Sequence, residues 1–212
     1  MSEPQLPRPR VRLAATERRE ELLRAAVALI EARGVVALRV SDVASAAGAS
    51  NALVLYHFAS KERLVAAAFE YAAQEDLAHL RRILTRRTCA VRRLRAAVRW
   101  YAPTGRARGW RLWIEGWVAA QHEPALREVA RELDRQWKMA LAGVISEGDE
   151  NGEFSCADPA AAALRLTALL DGLAVQLTAY GSGDLTRTEA RQWVDEALAH
   201  ELSLDPAALV TR

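Results

Sequence analysis

The chain has 212 residues, 51% of them hydrophobic, enough to bury a substantial core without disulfides or a structural metal. A formal net charge of +2 does not by itself announce a nucleic-acid partner, but the charge is strongly partitioned. Residues 1–60 hold 8 basic and 6 acidic side chains, residues 81–111 hold 11 arginines and no acid, and residues 112–212 hold 8 basic against 17 acidic.

Only Lys61 and Lys138 are lysines. That uniformity points to codon composition, so a single exposed arginine carries little functional weight. Cys89 and Cys156 stand far apart with no CxxC, which excludes a metal cage and a disulfide framework and fits a cytoplasmic setting. The first residues lack the apolar stretch of a signal peptide. No run approaches the roughly 18 uncharged apolar residues of a membrane span, so neither a membrane nor a cofactor is expected.

Residues 1–15, with Arg8, Arg10 and Arg12 among prolines, read as a flexible basic arm. It is either a disordered tail or a segment that touches a DNA backbone or minor groove. Leu22, Leu23, Ala26, Leu29 and Ile30 recur at helical spacing and predict a first helix from Thr16, its N-cap, to Arg33, with Gly34 ending it. A short helix is predicted over 40–47 and another over 51–58, capped by Ser50. A long fourth helix runs from Lys61 towards Leu84, capped by Ser60. Further helices are predicted near 89–101, 107–121, 124–147, 159–180 and 187–202. Their stops are Pro103 and Gly105, Pro124 at N1, Asn151–Gly152, Asp158–Pro159, and the capping box Thr186–Glu189. No useful run alternates with period two. The expectation is an all-α protein of about nine helices, with an N-terminal three-helix unit over 16–60, a larger helical body over 61–204 and a tail over 205–212.

The segment from Val40 to Phe58 carries the strongest signal. Val43, Ala44 and Ala47 form a small apolar face that lets two short helices cross steeply. Gly48 permits a positive φ in a very short turn, Ala49 plugs it from below, and Val54 and Phe58 face the core. Ser50, Asn51, Ala52, Leu53, Tyr56 and His57 are left facing outward, and that set suits a DNA groove. Ser50 and the helix N-terminus can hold phosphate. Asn51 can pair with adenine edges, and Ala52 or Leu53 can meet thymine methyls. Tyr56, His57 and Lys61 can reach phosphates. The alternative is an ordinary helical hairpin inside a bundle, which has no need for an exposed Tyr-His-Phe followed by Ser-Lys.

These residues resemble the DNA-binding domain of the Tet repressor (TetR) family. The matching pieces are Arg33-Gly34, Val43-Ala44, Ala47-Gly48-Ala49-Ser50, Tyr56-His57-Phe58 and Ser60-Lys61-Glu62-Arg63-Leu64. There are two departures. Leu55 stands where the family's tyrosine commonly falls, an arrangement closer to the choline-responsive BetI branch. Arg39 stands where a hydroxyl usually opens the second helix; it cannot cap in that way but can reach a phosphate. Ser41 occupies a position that often faces DNA. The resemblance implies a cytoplasmic homodimeric repressor that binds a palindromic double-stranded operator and is released by a small-molecule effector.

In the body, Trp110, Trp113 and Trp117 share one helix face, with Trp100 and Tyr101 before them and Trp137 on the next helix. They form either aromatic core or one wall of an inducer pocket, together with Tyr71 and Tyr101, suited to a planar molecule or a quaternary amine. The segments 110–127, Gly152–Phe154, Asp158-Pro159 and Leu170–Leu173 loosely resemble the BetI-type ligand-binding region.

Leu166, Leu170, Leu173 and Leu177 on one helix, with Trp193, Val194, Ala197, Leu198 and Leu202 on the next, predict two stripes of a four-helix dimer interface. Asp171 interrupts an apolar run and demands a partner: a cap or inter-helix hydrogen bond, or else a ligand cation. The arginines of 81–111 are either solvated helix faces or contacts for an anionic ligand or for phosphates. An enzyme finds little support. His79, His122 and His200 are isolated, and no nucleophile elbow, phosphate loop or carboxylate pair is present, so no catalytic or metal-binding residue is expected. A ligand-independent DNA binder with a filled core is the third class.

Overall fold

The computed structural model describes residues 15–103, 109–180 and 185–211, and in these the regular elements are helices joined by turns and short loops, with no strand. The order is α1 (Ala15–Arg33), α2 (Val40–Ala46), α3 (Asn51–Phe58), α4 (Lys61–Leu84), α5 (Ala90–Tyr101), α6 (Trp110–Ala120), α7 (Pro124–Glu150), α8 (Pro159–Thr178), α9 (Arg187–Glu201) and the single turn α10 (Ala208–Thr211). Almost all of the expected basic arm, and Arg106 and Arg108 of the arginine-rich stretch, lie outside the described residues.

Helix starts follow local chemistry. The Ser50 and Ser60 hydroxyls accept from Leu53 N and Arg63 N at 3.2 Å each, and Asp158 accepts from Ala161 N at 2.9 Å. Thr186 and Glu189 close their reciprocal capping box. Each such cap contributes about 1 kcal/mol. Arg39 caps nothing with its side chain, as its chemistry requires. Thr16 lies inside the first turn of α1 and is not its cap.

The N-terminal three helices pack around Leu22, Leu23, Ala26, Ile30, Leu38, Val43, Ala44, Val54 and Phe58, all buried. Gly48 turns the chain between α2 and α3 at φ 58°. The core continues without a break into the body through Leu64, Ala68 and Phe69 of α4. There α7 is the central helix, packed against α4, α5, α6 and α8, while α9 lies on α8 and α5.

Three expectations change. Leu166, Leu170, Leu173 and Leu198 are buried inside this chain, so this stripe is intrachain core. α8 is, by length and composition, long and apolar enough to cross a membrane, where the sequence reading found no such run. Arg165 and Asp171 interrupt it, and Leu166, Leu170 and Leu173 pack inward. The arginine-rich stretch also ties helices together. Arg93 is buried and donates to Glu147 at 2.6 and 3.0 Å and to Leu84 O at 2.9 Å. Arg95 and Arg99 both grip Asp195 on α9. Arg95 also reaches Leu209 O, and with Leu209 buried the expected tail is packed onto α5. Both cysteines are free thiols.

Candidate nucleic-acid interface and ligand pocket

The α2–α3 unit presents one polar face. Arg39, Ser41, Ser50, Asn51, Ala52 and Tyr56 are exposed, and Leu53, His57 and Lys61 are half-buried. Tyr56 is 83% exposed although Val54 and Phe58, two residues to either side, are buried. The helix therefore spends its apolar side on α2 and α4 and leaves a tyrosine outside. The Tyr56 and His57 rings meet edge to face at 5.4 Å.

Lys61 donates to Val36 O at 3.2 Å, fastening the α1–α2 loop to the head of α4 and holding the ammonium at the edge of the same face. Val36 itself is 93% exposed, and neither it nor Leu55 was singled out by periodicity. No metal-binding cluster occurs among the described residues.

In the body, a cavity of about 220 Å³ opens between α5, α6, α7 and α8. Of the predicted pocket aromatics, Tyr101, Trp113, Trp117 and Trp137 line it. Trp110 does not: it is buried against Tyr101, with ring centroids 4.5 Å apart and its indole N–H donated to Tyr101 O at 3.0 Å. Tyr71 belongs to a separate hollow between α1, α4 and α6, beside Glu31, Glu75 and Asp76. Trp113 borders both. It packs edge-on against Phe69 at 4.9 Å and donates to Asp76 at 3.3 Å. Burial, opposed by that hydrogen bond, raises Asp76 to about 6.

The cavity also holds charge that the aromatic pattern did not reveal. Asp134 and Asp171 line it, with Arg127 and Arg131 on the same wall as Asp134. Lys138 neutralises Asp134 at 2.6 Å. Asp171 forms no ion pair among the described residues and feels Lys138 only at a distance. Its Oδ1 is buried with no hydrogen-bond partner among the described residues, as is the indole Nε1 of Trp137, so the expected cap or inter-helix bond is not made there. Burial, with the repulsion of Asp134 and against the attraction of Lys138, raises the Asp171 carboxyl to about 7. Tyr101 is pushed up by burial and by the same carboxylates. Aromatic faces around a buried carboxyl favour positive charge over negative.

α6 joins this cavity to the N-terminal unit. Trp113 and Trp117 face inward. On the opposite face, Arg111 donates to Ala32 O and to Glu115, and the Glu115 carboxylate accepts from Val35 N. Gly34, at φ 83°, lies so close to that carboxylate that a Cβ would collide with it.

A helix-turn-helix head on a helical body that encloses a pocket defines a two-domain DNA-binding regulator. The models of two families match: "Bacterial regulatory proteins, tetR family" over residues 22–68, and "BetI-type transcriptional repressor, C-terminal" over residues 90–203. The chain belongs to the TetR family and to its BetI type, and it is a DNA-binding transcriptional repressor of that kind. The HTH-type transcriptional regulator BetI of Pseudomonas aeruginosa is 26% identical over 204 residues, spanning 87% of this chain and 94% of that one. A transcriptional regulator from Saccharomonospora viridis, crystallised in complex with choline, is 29% identical with a TM-score of 0.78 over 88% of this chain and 98% of that one. A TetR-family regulator from a Rhodococcus species is 28% identical with a TM-score of 0.75 over 88% and 99%. These relatives are transcription regulators, not enzymes.

Proposed function

We propose that this chain is a ligand-responsive cytoplasmic repressor. A homodimer binds a palindromic operator through α3, and a small organic cation in the Tyr101–Trp113–Trp117–Trp137 cavity releases it. Residues 16–60 are the reading head and 61–204 the ligand-binding and dimerisation body. The observation that carries this reading is Asp171: a carboxylate held without a partner inside an aromatic cavity costs stability, and a bound cation removes that cost. The choline-bound regulator from Saccharomonospora viridis supports it.

In the DNA-bound form Asn51 reads a base edge. Ala52 and Leu53 lie against base methyls, and Ser41, Ser50, Tyr56, His57, Arg39 and Lys61 hold phosphates. Dimerisation uses the outward face of α8 and α9, where Leu164, Ala168, Gly172 and Trp193 are exposed. Small side chains there allow helices to approach closely, and two heads are then held a fixed distance apart to match two half-sites. Ligand contact with Trp113 and Trp117 shifts α6, and the Arg111 and Glu115 contacts carry that shift to the end of α1, altering the spacing of the heads.

The test is calorimetric titration of choline and of tetramethylammonium into the full-length protein at pH 8, with Asp171→Asn alongside. Binding that is lost in Asp171→Asn is expected. Absence of binding by either cation, or binding unaffected by the substitution, contradicts the reading.

A further inference from the structure

The cavity is polar at both ends, and the two ends have opposite sign. Arg127, Arg131, Asp134 and Trp137 follow one another on a single face of α7 and all line it. At 1.5 Å rise per residue, Arg131 sits about 4.5 Å and Arg127 about 10 Å along the axis from Asp134. The wall therefore passes from two arginines to the Asp134–Lys138 ion pair and Trp137 within about three turns, and the unpaired negative group at that end is Asp171 on α8.

The guanidinium of Arg127 is fixed by Ala120 O at 2.9 Å and Gln121 O at 2.6 Å, so its charge is held in place at the end of α6. Arg131 is exposed and has no hydrogen-bond or ion-pair partner among the described residues. Both arginines also border the open groove beside the cavity, together with Glu128 and the Glu132–Arg135 ion pair, which puts them at its mouth. At the inner end, among the described residues, Asp171 Oδ1 lacks a donor and Nε1 of Trp137, a residue 94% buried, lacks an acceptor. A simple cation satisfies the first of these and leaves the arginines facing an empty mouth.

We propose that the ligand is a small zwitterion, a quaternary or protonated amine that carries a carboxylate a few bonds away. The cationic head sits among the aromatic rings against Asp171, and the carboxylate lies on Arg131 and Arg127. The inference rests on the reading of the cavity as a cation site and adds the anionic end. Its size agrees: 220 Å³ is the liquid volume of about seven waters at roughly 30 Å³ each, which accommodates a trimethylammonium head and a short chain with its carboxylate at the opening.

The experiment titrates 4-(trimethylammonio)butanoate and butyltrimethylammonium into the full-length protein at pH 8. These share head and chain length and differ in the carboxylate. The expected result is that the carboxylate form binds on the order of tenfold more tightly, the value of one charge-assisted contact. Arg131→Gln should remove that preference without weakening butyltrimethylammonium, whose own charge the arginine repels. If butyltrimethylammonium binds and the carboxylate form binds equally or more weakly, the zwitterion is overturned and the cation site stands. If the preference is present but survives both Arg131→Gln and Arg127→Gln, the placement on these arginines is overturned. If neither compound binds, the cation site itself is wrong and the zwitterion falls with it.

Discussion

Replacing Asp171 with Asn should stabilise the free protein and abolish its response to ligand. In the folded chain this carboxyl is raised from 3.8 to about 7, first by burial and then by Asp134, with Lys138 opposing. The groups around it are Asp134 and Lys138 of α7 and Tyr101 of α5. The folded state thus holds the proton more tightly than the unfolded chain between those two values. Stability rises as pH falls through 7, the gain saturates near pH 4, and the full cost is present above pH 7.

At 1.36 kcal/mol per pH unit, a rise of about 3 corresponds to about 4 kcal/mol, which solvent at the cavity mouth reduces to about 2 kcal/mol. Asn is nearly isosteric and uncharged. Thermal melting at pH 8 should therefore show the variant about 4–8 °C above the wild type, with the gap narrowing towards pH 4. Ligand-dependent stabilisation, which follows from binding to the folded state alone, should be present in the wild type and absent in the variant. A variant that melts lower than the wild type at pH 8 would mean that Asp171 has a stabilising partner within the fold, and the reasoning would fail.

Other outcomes follow from the same geometry. Glu115→Ala should leave the fold intact and retain operator binding within a few-fold, but ligand should no longer release the DNA; normal release in the variant rules out this route. Lys61→Ala should weaken binding to all sequences alike and flatten the salt dependence, whereas Asn51→Ala should relax preference at one base pair per half-site, read by selection of bound fragments. Trp137→Ala should cost about 3–5 kcal/mol, as for a core tryptophan. Trp117→Ala, half-exposed at the cavity, should cost less and mainly lose ligand, because one side of the ring has no protein partner. Ala168→Arg on the outer face of α8 should give a folded monomer by light scattering; a dimeric variant places the interface elsewhere.

The reading head was legible in the sequence because its signals are local. A glycine turn, small crossing residues and two serine caps lie within about twenty positions, and helix boundaries there agree to within one or two residues. The body was only partly so. Periodicity located α8 and its leucines, but a helix with apolar residues on several faces does not reveal which face meets its own chain, and Leu166, Leu170 and Leu173 were assigned outward although they point in.

Of the six aromatics named for the cavity, Tyr101, Trp113, Trp117 and Trp137 line it, whereas Trp110 and Tyr71 do not. The cavity's charged residues were not legible, because Arg127, Arg131 and Asp134 sit among Glu128, Glu132 and Arg135 and read as an ordinary solvated face. Asp171 stood out as a polar break in an apolar run, but only the folded neighbours show that its oxygen lacks a partner. Glu115 and Val35 are 80 positions apart, and Arg93 and Glu147 are 54 apart. No local pattern joins such pairs.

The decisive measurement is fluorescence anisotropy of a labelled operator fragment, selected by the purified protein from genomic DNA, during titration with 4-(trimethylammonio)butanoate and with choline at pH 8. Wild-type protein should release the fragment as ligand is added, and Asp171→Asn should bind it equally well and retain it throughout. If the fragment stays bound to the wild type at saturating concentrations of both compounds, the cavity is not a cation-gated switch.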